Sequence, residues 1–444
     1  MIEKVIVVVA IFINHFGTPE SWFVVNTGSA SGPDAKPMLV FGTLGLVGML
    51  ALGLVGNGEA VFRVILVEPL LAGFLILLSL SVLWSNYVAA SVTGIVNVLL
   101  MVLLAIVLLV RYRLDEIIKL SAVAMGIGVL LDLLWIVGMG DYGSKNGIWD
   151  GLGTQKNELG GHSLIALLVL LWAAKAAPRF RFISYSLAIC TTVLLVGSQS
   201  KTALAAGALS AACMAVFVVF RSRKTLFGAV LISISSASVV AVLFVTANVG
   251  LIAGWLDRDI TLSGRTQLWG LVRDGIANKP WFGYGYDGFF QGPFSPAHAI
   301  VSQAEWAPTH AHNAYMEMAL HVGVVGAVVY IGFTIRGIVR ATDCARKVPG
   351  ALGLFPLVYL TMATMISFTE SGVFSQRFGL VLFFVALIVA KTEPDRLAGI
   401  AAENGVLPSS EASDADEAND EIDLRDAPLP FTDLGTAVGA DGRR

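Results

Sequence analysis

One histidine and one arginine set the chemistry this sequence can be read for. His312, the second histidine of THAHNAYMEMALHVGVVG, stands where a polar loop turns into an apolar helix. The positive end of a helix disfavours imidazolium and keeps the ring neutral, as a general base must be. Arg265 falls in the first turn of SGRTQLWGLVRDGIAN, a segment that Ser263 caps and that Lys279 and Pro280 end. A cation there opposes the helix dipole, so its placement fits an anion gripped by guanidinium and amides together, the geometry that suits phosphate. The competing reading is a structural pair with Asp257 or Asp259. Leu268, Val272 and Ile276 recur every four residues and give this helix one apolar face to dock with, while Arg273 reads as an exposed charge.

Three further places carry groups of the same kind. In GSQSKT, Lys201 opens a helix beside Ser198, Ser200 and Thr202, so amides, hydroxyls and an ammonium converge as in an anion site. A turn whose serines merely satisfy the backbone fits equally well. In TQKNELG, Lys156 is either a snorkelling anchor or a second cation, and Asn157 is placed to cap the helix it opens. Glu370, in FTESG, returns an acidic group to the same face. His310 and His312 form a His-x-His pair, but a zinc site takes three or four protein ligands and no cysteine lies nearby, so no metal is expected. Glu317 and His321 are four apart on one helix face and are expected to satisfy each other. WFGYGYDGFF, with Tyr284 at its centre, reads as a tight glycine loop with an aromatic surface turned to sugar or lipid, and Trp84 with Tyr87 as interface anchors.

These residues need a scaffold, and composition says which. The 444-residue chain is 56% hydrophobic and only 14% charged, with positive mean hydropathy, outside the range of a water-soluble domain. An all-α polytopic membrane protein is expected, with apolar runs at 38–56, 62–84, 89–110, 117–138, 159–177, 182–198, 202–220, 226–250, 314–335, 351–369 and 374–391. A short first span from Ile2 to Phe16 makes about twelve transmembrane helices. Basic residues alternate between turns. Arg63, Arg111, Arg113, Lys175, Arg179, Arg181, Arg221, Arg223, Arg336 and Arg340 fall on one side, against Lys36, Lys145, Lys156, Lys201 and Arg377 on the other. That bias puts both termini in the cytoplasm and the long loop, 255–313, outside. Cys190, Cys213 and Cys344 cannot staple that loop, so packing must order it. From 393 to 444 the chain carries thirteen acidic residues against four arginines, a composition expected to form a disordered cytoplasmic tail behind a transmembrane domain of residues 1–392. Nothing suggests nucleic acid as a partner.

His312, Asn313, Gly323 and Gly326 reproduce an H-[NSQ]-x9-G-x-x-G pattern, and SGRTQLW, KPWFGYGYDGFF, LSVLWS and TQKNELG accompany it. Together they resemble the O-antigen ligase and polysaccharide polymerase family, most closely exopolysaccharide polymerases of the succinoglycan type, over roughly residues 40–390. The resemblance implies a GT-C-like, metal-independent and cofactor-free glycosyltransferase of the bacterial inner membrane. Such an enzyme moves glycan from an undecaprenyl diphosphate carrier to a sugar hydroxyl at the periplasmic face. It implies His312 as the base, Arg265 as the loop arginine, and Lys201 where many members have an arginine, with Lys156 as a further diphosphate ligand. Asn313, His310, Asn157, Glu370 and Tyr284 are expected to support them. The implied partners are lipid-linked donor and acceptor glycans, membrane lipid, and chain-length and export proteins. A polymerase is expected, with a ligase onto lipid A core or protein as the alternative and a polysaccharide flippase as the reading from another class.

Overall fold

The computed structural model describes residues 2–16, 48, 57–140, 143–145, 147–152, 155–220, 265–291, 295–298, 308–348, 350–368, 370–371 and 377–403. Helices dominate these residues, with one two-residue hairpin, Ser144–Lys145 against Ile148–Trp149. In chain order the helices are α1 (Ile2–Phe16), α2 (Gly58–Val67), α3 (Pro69–Leu80), α4 (Val88–Arg111), α5 (Leu114–Met139), α6 (Lys156–Ala176), α7 (Arg181–Gly197), α8 (Lys201–Phe220), α9 (Arg265–Asn278), α10 (Ala314–Lys347), α11 (Gly350–Ser367) and α12 (Arg377–Glu403). Six stretches among the described residues are long and apolar enough to cross a membrane: α4, α5, α6, α7 with its preceding turn, α10 and α11. A seventh is possible if α2 and α3 count as one. The expected runs at 38–56 and 226–250 lie largely or wholly outside the described residues, as do Ser263, Asp257 and Asp259.

The run expected at 62–84 is not one straight span. α2 and α3 meet at 95°, with Glu68 and Pro69 at the corner. Proline fits the first position of α3, where its missing N–H costs nothing. Glu68 is 1% exposed and forms an ion pair with Arg340 of α10. A charge withdrawn from solvent needs such a partner. This corner therefore has a cause.

α12 forms the centre of the bundle. Every residue from Phe378 to Ala390 that the core contains is nearly inaccessible, with Phe378, Val381, Leu382, Val385, Ala386 and Leu387 at 0%. A helix apolar all round must be buried, and this one packs against α1, α4, α10 and α11. It also runs on through Glu403, past the expected tail boundary at 393. There Arg396 bonds back to Glu393 and Lys391 pairs with Asp395 at 3.0 Å, so local i,i+3 and i,i+4 pairs extend the helix. Residues 404–444 lie outside the described part.

α10 is the element that positions the loop following α9. At 34 residues it is about 50 Å long, well beyond the ~30 Å of a bilayer's hydrocarbon. It is broken at Val322 and Gly323, the glycine at φ 73°, ψ −178°. The break leaves carbonyls unpaired, and the loop after α9 takes them up. Tyr284 N–H donates to Leu320 O at 2.7 Å and Gly285 N–H to His321 O at 3.0 Å, while Val324 N–H donates to Pro280 O at 2.7 Å. Gly323 and Gly326 meet their surroundings differently. A Cβ on Gly326 approaches Val322 of its own helix and then Leu77 of α3, whereas one on Gly323 falls 2.0 Å from Trp281 O.

Gly323→Ala is therefore expected to cost about 1–3 kcal/mol from its backbone region alone, with the clash in addition. Gly332→Ala, where an added Cβ meets nothing, is the control. Thermal unfolding in detergent checks this; equal melting temperatures for the two variants contradict the docking role of the break.

Candidate functional site

Four chain segments meet on the carboxylate of Glu370, just beyond the end of α11. Arg265 Nη2, from the first residue of α9, donates to Oε1 at 2.7 Å. Asn157 Nδ2, from the start of α6, donates to the same oxygen at 3.2 Å. His312 Nδ1 lies 2.9 Å from Oε2. Asn157 Oδ1 in turn accepts from Ser200 Oγ at 3.0 Å, which ties in the start of α8. The side chains of Arg265, His312 and Glu370 are only 15%, 10% and 17% exposed, so little water screens them.

Glu370 fixes the chemistry of the ring. Burial raises its carboxyl pKa, but the His312 hydrogen bond and the Arg265 charge outweigh that and hold it below the usual range. An ionised carboxylate only accepts, so His312 Nδ1 carries the hydrogen and Nε2 is the basic nitrogen. His312 itself sits at φ 50°, in the left-handed region that non-glycine residues rarely adopt. Neighbours hold it there. Trp269 Nε1 donates to Ala311 O at 2.9 Å, Ala311 N–H donates to Glu317 Oε2 at 2.5 Å, and Asn313 Oδ1 caps α10 by accepting from the amides of Tyr315 and Met316. Asn313 Nδ2 reaches Phe368 O at 3.1 Å and so joins the cap to the Glu370 segment.

Of the expected residues, His312, Arg265, Glu370, Asn157 and Asn313 come together. His310 joins them, its ring 3.9 Å from that of His312; burial and the neighbouring His312 lower its pKa. Lys201 and Lys156 open α8 and α6 beside this network, both exposed. Asn157 is not a helix cap: Gln155 holds that position, and the Asn157 side chain crosses between helices instead. Tyr284 is not part of the group. Its hydroxyl donates to Gly275 O at 2.9 Å, its ring packs on Phe289, and Lys279 Nζ lies 4.8 Å above it. The loop's aromatics also divide differently from expectation. Tyr284, Tyr286 and Phe289 are buried, leaving Trp281 and Phe282 outward, and Trp84 is tied to the loop by its Nε1 donating to Phe282 O at 2.8 Å.

Glu317 and His321 do pair, at 3.2 Å, but the sequence concealed their reach. His321 also lies 3.8 Å from Asp287 and edge-on to the Tyr286 ring. Glu317 thus links the residue before His312 to the loop seated on the break. Ser200 was read as a hydroxyl of an anion site or of a turn, and its bond to Asn157 carries no local signal.

The ligand atoms of His310, His312 and Glu370 lie within 4.8 Å of one another, supplying the third donor that the His-x-His reading lacked. Both Glu370 oxygens are already engaged, one by a guanidinium that repels a cation. The donor set fits a metal poorly.

Residues 186–331 match the O-antigen ligase family, a stretch that includes Lys201, Arg265, His312, Gly323 and Gly326. The chain is also 30% identical over 142 residues to exopolysaccharide production protein ExoQ of Rhizobium meliloti (strain 1021). That alignment covers 30% of this chain and 32% of the relative, so the chain matches about a third of that protein's length. The two matches support assignment to the O-antigen ligase and polysaccharide polymerase family. Glu370 lies beyond the matched domain.

Because the Glu370 carboxyl titrates below its unfolded value, the stability it contributes is full above about pH 4.5 and is lost as pH falls through the lowered value. Glu370→Gln is expected to lower the melting temperature at neutral pH and to flatten its dependence as pH falls below about 4.5. Identical pH slopes in both proteins contradict the coupling.

Proposed function

We propose that this protein polymerises lipid-linked oligosaccharide repeat units at the outer face of the bacterial inner membrane, taking glycan from an undecaprenyl diphosphate donor. The observation that carries the reading is the shared carboxylate: Glu370 holds a base and a cation side by side, His312 at 2.9 Å and Arg265 at 2.7 Å. A sugar hydroxyl is too weak an acid to attack unaided. His312 Nε2 takes its proton as the oxygen bonds to the anomeric carbon of the donor. The bond from that carbon to the diphosphate oxygen breaks, and the electron pair leaves with the phosphate. Glu370 then faces an imidazolium, which a carboxylate stabilises, and it has held the correct tautomer throughout.

The departing diphosphate gathers negative charge while the sugar becomes oxocarbenium-like, so cations are needed where that charge grows. Arg265 brings a planar fork of N–H donors to the site, held in place by its bond to Glu370. Lys201 and Lys156 stand at neighbouring helix starts, where amides add to their charge. Asn313, His310 and Asn157 hold the base and the helix ends in register. The step requires neither metal nor cofactor. Ligation of the glycan onto lipid A core or protein uses the same bond changes, and the family match is to O-antigen ligases; similarity to an exopolysaccharide production protein favours polymerisation.

Deleting the gene and complementing it with variants tests the reading. His312→Ala and Arg265→Ala are expected to insert normally, to leave single repeat units on the carrier, and to lower polymer at least about 100-fold, the lower end for a general base. Arg265→Lys should retain a fraction, since it keeps the charge and loses the fork. Full-length polymer from either alanine variant removes its assigned role, and repeat units confined to the cytoplasmic leaflet favour a flippase.

A further inference from the structure

A second feature lies at the other end of α6 from Asn157. Between α5, α6 and α7 runs an open groove of about 590 Å³, within the range of cavities that hold a ligand. Its walls are almost wholly apolar. Val123, Ile127 and Leu130 of α5 and Ile183 of α7 are 46–60% exposed, although three helices surround them. Lys119 of α5 and Arg179, in the turn between α6 and α7, stand on its lining. From Lys119 to Leu130 the α5 wall is about 16 Å long at ~1.5 Å per residue. That is about half of the ~30 Å hydrocarbon core, or one leaflet. The groove is thus one leaflet deep, apolar along its length and basic at one end.

The basic end is not neutralised outright. Lys119 pairs with Asp115 at 2.7 Å, but Asp115 also faces Arg113 at 3.6 Å, so one carboxylate serves two cations. Arg179 lies 5.8 Å from the Phe180 ring centre, which leaves its charge uncompensated by that contact. Lys175 and Arg181 add charge close by. A neutral hydrocarbon explains the walls but not this end. Basic pockets between helices, beside one membrane surface, recognise anionic lipid head groups.

We propose that this groove is a binding site for one anionic phospholipid, with an acyl chain along α5 and α7 and its phosphate-bearing head group at Lys119 and Arg179. The site is separate from the Glu370 network: nearly the whole length of α6, about 28 Å at ~1.5 Å per residue, lies between Asn157 and Ala176. Occupancy fills the cleft between α5 and α7 and joins helices that meet there only loosely.

Native mass spectrometry of the delipidated full chain, with phosphatidylglycerol and phosphatidylethanolamine of the same acyl composition, tests it. The wild type is expected to bind phosphatidylglycerol about tenfold more tightly, as two basic side chains near a head group imply. The preference should shrink as salt rises. Lys119→Gln with Arg179→Gln is expected to abolish the preference while retaining binding of both lipids, and Arg273→Gln, far along the chain on α9, to leave it unchanged. Equal binding of the two lipids by the wild type overturns the proposal whatever the variants do. So does a preference that survives the double substitution, or stronger retention of undecaprenyl phosphate than of phosphatidylglycerol at the same groove.

Discussion

The end of this protein that holds Arg265 and His312 depends on one carboxylate being shared. Glu370 accepts from an arginine, an asparagine and a histidine that come from α9, α6 and the start of α10. Each donor alone would be a polar group brought into a poorly hydrated place at a cost; together they satisfy one another. Breaking the set by removing one partner leaves a buried charge without its counterpart, which is far worse than never having buried the pair. The ends of four helices are therefore fixed relative to each other by electrostatics and hydrogen bonding in addition to the apolar contacts of α9.

The second constraint is the break in α10, and it explains a sequence pattern otherwise without meaning. A glycine eleven residues after the histidine stops the helix at a backbone geometry that only glycine takes readily. The unpaired carbonyls of Leu320 and His321 then dock the loop that follows α9. Since α9 begins with Arg265, the docking fixes where the guanidinium stands. Glu317 adds a second tie, from Ala311 N–H to His321, which touches the loop at Asp287. His312 can occupy a left-handed conformation because both sides of it are held.

Much of this was legible in the sequence where a rule is local. The apolar runs that became α4, α5, α6, α7 and α11 were placed to within a few residues, because bilayer thickness fixes their length. The apolar face of α9 was read from Leu268 and Val272, and both are buried. His312 and Arg265 stood out by residue type at a helix start. What escaped was non-local. Asn157 as a cap was the natural local reading, yet its partners are 43 and 213 residues away. The corner at Glu68 was hidden inside an apolar run, since its cause, Arg340, lies on α10. Tyr284 looked outward-facing by composition, while its hydroxyl had a carbonyl to find nine residues back.

Charge accounting separates the fixed part of the site from the adaptable part. Arg265 and Glu370 carry opposite charges and are bonded at 2.7 Å, so this buried pair is net neutral. That makes it cheap to keep in a place with little water. It also means the buried pair alone is a weak lure for a diphosphate. In the proposed reaction the attraction must come from cations that Glu370 does not neutralise, and Lys201 and Lys156 are exposed, at helix starts, and borne by long flexible stems. A lysine at position 201 then suits the division of labour: point charges that follow a moving leaving group stand outside, and the rigid fork stays with the base. In the proposed reaction a proton taken up by His312 adds positive charge beside the neutral Arg265–Glu370 pair. That charge thus appears together with that of the departing phosphate, beside which the cation is needed, and not before.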